Sequence, residues 1–205
     1  MLDLSHLRHN PFAQLCFDIR GIQLRILGVS GSTRKGSYNT ALLNEAKLLL
    51  TSDATVEIAD ISNFPLYSQD LESDLPENVK AFKSLVRRAD ALLFATPEHN
   101  RSISAALKNA IEWGNRPAGD NSWDGKPAAI ISASTGPRGA VRSQLTLRQI
   151  LVDLNVYAMN KPELYVPNAQ QVFDGDLRLK DERVRATLKS VLENLVAWSA
   201  AIRGM

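Results

Sequence analysis

Side chains that can donate hydrogen bonds are crowded into one short stretch of the sequence, GVSGSTRKGSYNTALL, at residues 28–43. The stretch follows an apolar run and precedes a helical pattern, so the N–H groups of a helix N-terminus would face it. Gly31 and Gly36 allow the backbone to curl until its amides converge. The side-chain donors are Ser32, Thr33, Arg34, Ser37, Asn39 and Thr40. This density predicts a phosphate site; the alternative is an ordinary polar turn, in which one Ser or Asn suffices to cap the helix.

A second polar stretch, TPEHNRSISAALKNAIEWGNRP, occupies residues 96–117. An apolar run ends at Pro97, and Ser102 or Ser104 is the predicted N-cap of the helix that follows. Between them lie Glu98, His99, Asn100 and Arg101. Such a loop can offer backbone hydrogen bonds and a flat side chain to a planar heterocycle. An acid/base pair formed by Glu98 and His99 is the alternative, although adjacent residues rarely aim at one atom.

A third stretch, SASTGPRGAVRSQLTLRQ, occupies residues 132–149 and forms another donor-rich turn before a helix. The turn contains Ser134, Thr135, Gly136 and Gly139, and Arg138, Arg142 and Arg148 add positive charge. Taken alone, it also fits a solvated turn with a helix cap. Its position after a predicted strand favours a ligand-binding role.

Strands and helices alternate along the chain and must position these stretches. Apolar or alternating runs predict strands at residues 24–30, 55–61, 89–97, 126–135 and 156–166, the last of them divided around Pro162. Helical periodicity predicts helices at residues 40–50, 77–88, 104–113, 141–154 and 181–203. The pattern is typical of a doubly wound, five-stranded parallel sheet with helices on both faces. Ligands bind such sheets beyond the carboxyl ends of the strands, where all three stretches fall.

Composition limits the class of protein. The chain has 205 residues and a formal charge of +2, which suits one α/β domain and gives no support for a nucleic-acid partner. Because it lacks an apolar run of about 18 residues, we expect no membrane span. The single Cys16 excludes an intrachain disulfide and favours a cytoplasmic location. Residues 1–22 are expected to form an extension to a domain at residues 23–205, and His6 and His9 lack the acidic or Cys partners of a metal site.

The three stretches resemble the NADPH-dependent FMN reductase family. GSTRKGSYN is similar to its phosphate loop, G-S-x-R-x-x-S-x-N, and PEHNRSISAALKNAIEW to its flavin-ring loop, P-E-Y-N-x-S-x-P-x-x-L-K-N-A-I-D-W. STGPRGAVRSQLTLRQIL and NKPEL resemble segments of its bacterial quinone and chromate reductase branch. The resemblance covers residues 24–196 and implies a flavodoxin-like fold.

The resemblance also implies site residues. The FMN phosphate would be held by Ser32, Arg34, Ser37, Tyr38 and Asn39, with Thr40 as a further donor. The flavin ring would be lined by Pro97, Glu98, His99 and Asn100, and its far side by Ser134, Thr135 and Gly136. The sequence departs from the family at His99, where Tyr is usual, at Ser104 and Ala105 in place of Pro and Gly, and at Ala140 in place of Gly. The first departure changes the surroundings of the ring.

The implied activity is an NAD(P)H oxidoreductase that passes hydride from NADPH through bound FMN to quinones, free flavin, chromate or azo compounds. We assign no catalytic side chain, because the flavin carries the hydride chemistry. Arg101, Arg116 and Arg138 are candidates to bind the 2′-phosphate of NADPH. A homodimer or homotetramer with small-molecule acceptors is expected.

Two other functions remain open from the sequence. A one-electron carrier of the flavodoxin type would typically be acidic, whereas this chain has a pI near 8.7. A nucleotide-binding module could hold a ribose with Asp60 at the end of the second strand. Neither G-x-G-x-x-G nor G-x-x-x-x-G-K-[ST] occurs in the phosphate stretch, which counts against the module.

Overall fold

Apolar runs form the strands of a parallel sheet in the computed structural model, which describes residues 23–50 and 54–203. The strands are β1 (Leu24–Ser30), β2 (Ala54–Ala59), β3 (Ala91–Ala95), β4 (Pro127–Ala133), β5 (Tyr157–Ala158) and β6 (Leu164–Val166). Their order is β2-β1-β3-β4-β5, and β6 also pairs with β4. Every residue of β3 and β4 is buried, as expected for strands covered on both faces.

The helices lie on both faces of the sheet. They are α1 (Tyr38–Leu49), α2 (Glu77–Arg88), α3 (Ala105–Gly114), α4 (Val141–Asp153), α5 (Ala169–Val172) and α6 (Glu182–Arg203). One core contains α1 and α6, and the other contains α2, α3 and α4. The predicted flavodoxin-like architecture is confirmed. No helix in the described part of the chain is long and apolar enough to cross a membrane.

The predicted fifth strand is divided as expected. β5 pairs with the beginning of β4 and β6 with its end, so the two pieces occupy one edge of the sheet. The predicted extension at residues 1–22, with His6, His9 and Cys16, lies outside the described residues and stays a prediction.

The irregular stretch at residues 63–76 packs against α3. The carbonyl oxygen of Pro65 accepts hydrogen bonds from Trp113 Nε1 and Asn109 Nδ2, each at 2.8 Å. Asn109 Oδ1 accepts in turn from the N–H of Tyr67 at 2.8 Å. A short 3₁₀-helix, Gln69–Leu71, follows. The stretch is therefore held by side chains of α3 rather than by a strand.

A buried ammonium group organises the chain beyond α3. Lys83 of α2 is 1% exposed, and its Nζ donates to the carbonyl oxygens of Trp113, Gly114, Arg116 and Asp120 at 2.5–3.4 Å. Burial lowers the pKa of Lys83, although the charge of the neighbouring Asp120 opposes this shift. The cation lies at the C-terminal end of α3, where the helix dipole favours positive charge.

Lys83→Met is expected to lower the free energy of unfolding by about 1–3 kcal/mol, because buried carbonyls lose their donor. Urea denaturation of both proteins measures the difference. Lys80→Met removes an exposed cation of the same helix, which pairs with Asp74 and Glu77. That control is expected to change stability by less than about 1 kcal/mol. Equal effects of the two substitutions would contradict the structural role of the buried ammonium.

Candidate functional site

Three loops leave the sheet at the same edge. They are the first loop (residues 31–37, after β1), the second loop (residues 96–104, after β3) and the third loop (residues 134–140, after β4). The N–H of Gly31 donates to Ala95 O at 2.8 Å, that of Thr96 to Ile131 O at 3.0 Å and that of Ser134 to Val166 O at 3.0 Å. These bonds continue the sheet ladder into the loops. The structure thus brings the three polar stretches together at the carboxyl edge.

The first loop exposes donors at the N-terminus of α1. Ser37 is the N-cap of this helix, and its hydroxyl accepts from the N–H of Thr40 at 3.2 Å. The N–H groups of Tyr38 and Asn39 lie in the first turn, where a helix provides no acceptor. Arg34 is exposed, and its guanidinium lies 6.0 Å from the centroid of the Tyr38 ring. These groups suit an anion at the helix end.

The hydroxyl of Thr40 points to the strand that carries the first loop. Its Oγ1 lies 2.8 Å from Ser30 Oγ, and the N–H of Ser32 donates to that Ser30 oxygen at 3.3 Å. Ser32 Oγ accepts from the N–H of Arg34 at 3.4 Å. The hydroxyl groups of Ser30, Ser32 and Thr40 therefore shape the loop. Their O–H groups can also donate hydrogen bonds to an anion.

Asn39, in the first turn of α1, joins the start of that helix to the end of β4. Its side chain is buried, and its Nδ2 donates to Ala133 O at 3.0 Å while its Oδ1 accepts from the N–H of Ala133 at 2.9 Å. Both polar atoms of the Asn39 side chain therefore bind the backbone at the end of β4. The predicted contact of Asn39 with phosphate stays a prediction, and its backbone N–H is the group placed to make it.

Gly31 joins the first loop to the second. A Cβ atom at this position would lie 2.8 Å from Pro97 Cδ and 3.2 Å from Leu107 Cδ2. Ser104, the observed N-cap of α3, donates its hydroxyl to Gly31 O and accepts from the N–H of Leu107 at 3.1 Å. The first two loops consequently approach each other with no space for a side chain at Gly31.

The second loop contains a tight turn with His99 at its start. The N–H and carbonyl groups of His99 and Ser102 exchange two hydrogen bonds of 3.0 Å. Asn100 and Arg101, at the centre of the turn, have φ values of 50° and 67°. His99 is exposed, whereas Pro97 and Glu98 are partly buried. The turn thus presents His99 to solvent at the edge of the site.

Glu98 faces α4 rather than His99. Its Oε2 accepts from the N–H of Arg142 at 3.2 Å, and its Oε1 lies 3.2 Å from Arg142 Nη1. The carboxylate therefore has a cationic partner and a backbone donor. This arrangement gives no support to an acid/base pair of Glu98 with His99.

The third loop is held by backbone contacts with the chain after β6. Ser134 O accepts from the N–H of Ala169 at 3.0 Å, and Gly136 O accepts from that of Asn168 at 3.2 Å. Ser134 Oγ accepts from the N–H of Gly136 at 3.1 Å, which closes the turn. Thr135, between them, is exposed. The backbone of the loop is therefore held in place by hydrogen bonds, while the side chain of Thr135 is exposed to solvent.

Positive charge dominates the first loop. Residues 30–40 include Arg34 and Lys35 and no acidic side chain. Helix N–H groups, hydroxyl groups and a guanidinium are the donors that bind a phosphate monoester. The residues present therefore fit the phosphate of a mononucleotide. The second and third loops would then lie on either side of the rest of that nucleotide.

A comparison of the sequence with known protein families supports the same type of site. The family model described as NADPH-dependent FMN reductase matches residues 24–171. The chain belongs to the NADPH-dependent FMN reductase family. This membership confirms the predicted family and enzyme class, with FMN as cofactor and NADPH as co-substrate.

Relatives of this FMN reductase chain cover most of its length. An NAD(P)H-dependent FMN reductase of Pseudomonas aeruginosa is 46% identical over 182 residues, which are 88% of this chain and 98% of that protein. A 2-hydroxy-1,4-benzoquinone reductase of a Burkholderia species is 40% identical over 175 residues, which are 85% and 96% of the two chains. Among solved structures, a flavoenzyme NAD(P)H:(acceptor) oxidoreductase from Paracoccus denitrificans superposes with a TM-score of 0.81 at 34% identity, covering 87% of this chain and 98% of that one.

The sequence did not identify several residues that build the site of this FMN reductase. Thr96 and Ser143, both 0% exposed, bring their hydroxyl oxygens to 2.5 Å from each other between the second loop and α4. Ser30 supports the first loop. Arg142 was expected only as a positive charge of the third stretch, and the structure adds that it holds Glu98. Small hydroxyl residues at the ends of apolar strands were the available signal for Ser30 and Thr96. Nothing local identified Ser143 or the partner of Arg142.

Proposed function

We propose that this chain catalyses the oxidation of NADPH by small quinones, using one FMN held at the carboxyl edge of the sheet. The observation that carries the proposal is the convergence of three loops on the N-terminus of α1, where Arg34 and Lys35 have no acidic neighbour within residues 30–40. Bound FMN supplies the hydride and electron chemistry. The chain supplies binding, orientation and access.

The three loops have separate tasks in this proposal. Ser32, Arg34, Ser37, Tyr38, Asn39 and Thr40 bind the phosphate, mostly through backbone N–H groups and the Arg34 guanidinium. Pro97, Glu98, His99 and Asn100 form the border of the ring on one side, and Ser134, Thr135 and Gly136 on the other. His99 and Thr135 are exposed. In this proposal they lie next to the entering substrate. No side chain of the chain has to transfer a proton for the hydride step.

Quinones are the proposed acceptors because the Burkholderia relative is named a 2-hydroxy-1,4-benzoquinone reductase. The Pseudomonas aeruginosa relative is named an FMN reductase, which makes free flavin a second acceptor. Chromate and azo compounds complete the range expected from the sequence. All of these acceptors are small enough to reach a ring bordered by exposed loop residues.

Arg101 and Arg138 are the proposed partners of the NADPH 2′-phosphate. Both are exposed and belong to the loops at the carboxyl edge. Arg116 follows the C-terminal end of α3, and its guanidinium lies 5.5 Å from the centroid of the Tyr67 ring. Since α3 starts at the carboxyl edge and runs away from it, Arg116 is far less suited to this task.

We further propose a cytoplasmic homodimer or homotetramer. Leu145 and Val152 of α4 are 58% and 79% exposed, and a second copy of the chain would cover such apolar side chains. The single Cys16 suits a reducing compartment. Sedimentation of the purified protein measures the assembly.

Steady-state kinetics with NADPH and a benzoquinone varied together test the function. Because one flavin site is available, NADPH and quinone are expected to occupy it in turn and to give parallel double-reciprocal lines. As a control, acid is expected to release the flavin from the protein, and the released flavin, detected by its absorbance, is expected to be FMN. Intersecting lines would rule out the shared site, and the absence of quinone-dependent NADPH oxidation by the FMN-loaded protein would rule out the proposed reaction.

A further inference from the structure

We infer that Glu98 is a positioning residue that fastens the second loop to the first turn of α4. The structure assigns its carboxylate to the N-terminal end of that helix, where it replaces a missing cap. The inference rests on the proposed function, because that function places the second loop beside the flavin ring. The contact itself lies in the described residues and can be tested without flavin.

Helix α4 begins without a cap of its own. Its N-cap residue is Ala140, in the left-handed conformation with φ 65° and ψ 32°, and it makes no side-chain hydrogen bond. The first N–H groups of a helix need acceptors from outside. The N–H of Arg142 finds one in Glu98 Oε2 at 3.2 Å, from a residue 44 positions earlier. Glu98 thus caps α4 from another loop, and its negative charge complements the positive end of the helix.

The second carboxylate oxygen strengthens the same connection. Glu98 Oε1 lies 3.2 Å from Arg142 Nη1, and the two side chains are only 15% and 36% exposed. Both oxygens of Glu98 therefore bind α4. The ion pair also neutralises the carboxylate, so that the second loop does not present an unpaired negative charge to anionic NADPH.

Hydroxyl groups hold the backbone next to Glu98. Ser143 Oγ donates to Pro97 O at 2.7 Å. Thr96 Oγ1 lies 2.5 Å from Ser143 Oγ and donates to it when Ser143 donates to Pro97. Both hydroxyl residues are 0% exposed. The α4 clasp, defined as Thr96, Glu98, Arg142 and Ser143, therefore combines a charged contact at the rim with a buried one beneath it.

The clasp couples two loops of the site. Helix α4 starts directly after the third loop, so fastening the second loop to α4 fixes the distance between the two borders of the ring. Release of Glu98 would let the second loop move relative to the third. Because the N-terminal end of α1 is joined to β4 separately by Asn39, the phosphate contacts would stay in place.

Hydrogen exchange on the flavin-free protein is the direct test. Glu98→Ala is expected to accelerate exchange of the Arg142 amide by about tenfold, the effect of losing a typical helix cap. Glu98→Gln keeps an acceptor oxygen without the charge, and is expected to give an intermediate acceleration. Glu77→Ala is the matched control, since it removes a first-turn acid and its ion pair with Lys80 from α2. The control is expected to leave exchange at Arg142 unchanged.

Flavin titrations then separate positioning of the ring from binding of the phosphate. Glu98→Ala is expected to weaken FMN and riboflavin binding by the same factor, about three- to tenfold, because the ring is common to both ligands. Unchanged exchange at Arg142 in Glu98→Ala would overturn the clasp, and unchanged affinity for both flavins would overturn its positioning role. If Glu98→Ala does not fold, Glu98→Gln decides both points with smaller expected changes. A parent protein that binds no FMN would refute the proposed function, while the exchange experiment would still decide the clasp.

Discussion

Gly31→Ala is expected to weaken FMN binding by about tenfold to a hundredfold. The added methyl carbon would lie 2.8 Å from Pro97 Cδ, well inside van der Waals contact, and 3.2–3.3 Å from Leu107. The ring of Pro97 is part of the backbone, so the clash cannot be relieved by a side-chain rotation. Overpacking of this kind costs about 1–3 kcal/mol. Since the first and second loops must approach each other to hold the phosphate and the ring together, most of this cost is expected as lost affinity, at about 1.4 kcal/mol for each tenfold.

Fluorescence titration of the flavin-free protein with FMN measures the change. Gly175→Ala is the matched control, because a Cβ atom there meets nothing within 4 Å. The control makes the same chemical change on the turn before α6 and is expected to bind FMN as the parent does. Parental FMN affinity and an unchanged Tm in Gly31→Ala would together contradict the close approach of the two loops.

The sequence predicted those parts of the fold that local patterns determine. The continuous apolar run at residues 91–95 indicated a strand buried on both faces, and β3 is such a strand. Ser104 was one of two expected N-caps of α3 and is the observed one. Helix α1 starts two residues before its predicted position, at Tyr38, because Ser37 is its cap. Each of these features depends on neighbouring residues, whose types and spacing are visible in the sequence.

Contacts between distant side chains could not be predicted in the same way. Asn39 was predicted to hold the phosphate, since an amide in a donor-rich loop fits that task, and this stays a prediction. The bond of its side chain to Ala133, 94 residues away, was not predicted. Glu98 was predicted to line the ring, and its carboxylate binds Arg142. The type of each residue indicated a polar contact. Only the packing of the loops against β4 and α4 decides the partner.

Lys83 illustrates the same limit in the core. A Lys among the residues of an amphipathic helix is expected on its solvent face. In α2 it is buried, because the carbonyl groups at the end of α3 provide four acceptors for its ammonium. The acceptors are backbone oxygen atoms of residues at least 30 positions later in the chain. The pattern of side-chain types does not show where such backbone atoms lie.

Arg34→Ala is expected to weaken FMN binding by about tenfold to a hundredfold and to leave riboflavin binding unchanged. Hydrogen bonds from a guanidinium to a phosphate are worth about 1.5–3 kcal/mol, which corresponds to this range. Riboflavin lacks the phosphate, so the difference between the two ligands isolates the contribution of the first loop. The same comparison distinguishes Arg34 from Glu98, whose removal is expected to affect both ligands equally.

Lys35→Ala is the matched control for Arg34→Ala. The Lys35 side chain lines a groove on the flank of α1 with Lys47 and Asp176 and is the neighbouring cation of the same loop. If only net charge attracted the phosphate, the two substitutions would weaken FMN binding equally and added salt would abolish the difference from the parent. If the guanidinium binds the phosphate directly, Arg34→Ala has the larger effect, and Arg34→Lys recovers only part of it because an ammonium cannot bind two phosphate oxygens in the same geometry. Equal losses of FMN affinity in Arg34→Ala and Lys35→Ala would therefore show that Arg34 does not bind the phosphate directly. The N-terminus of α1 would then be the principal source of phosphate affinity.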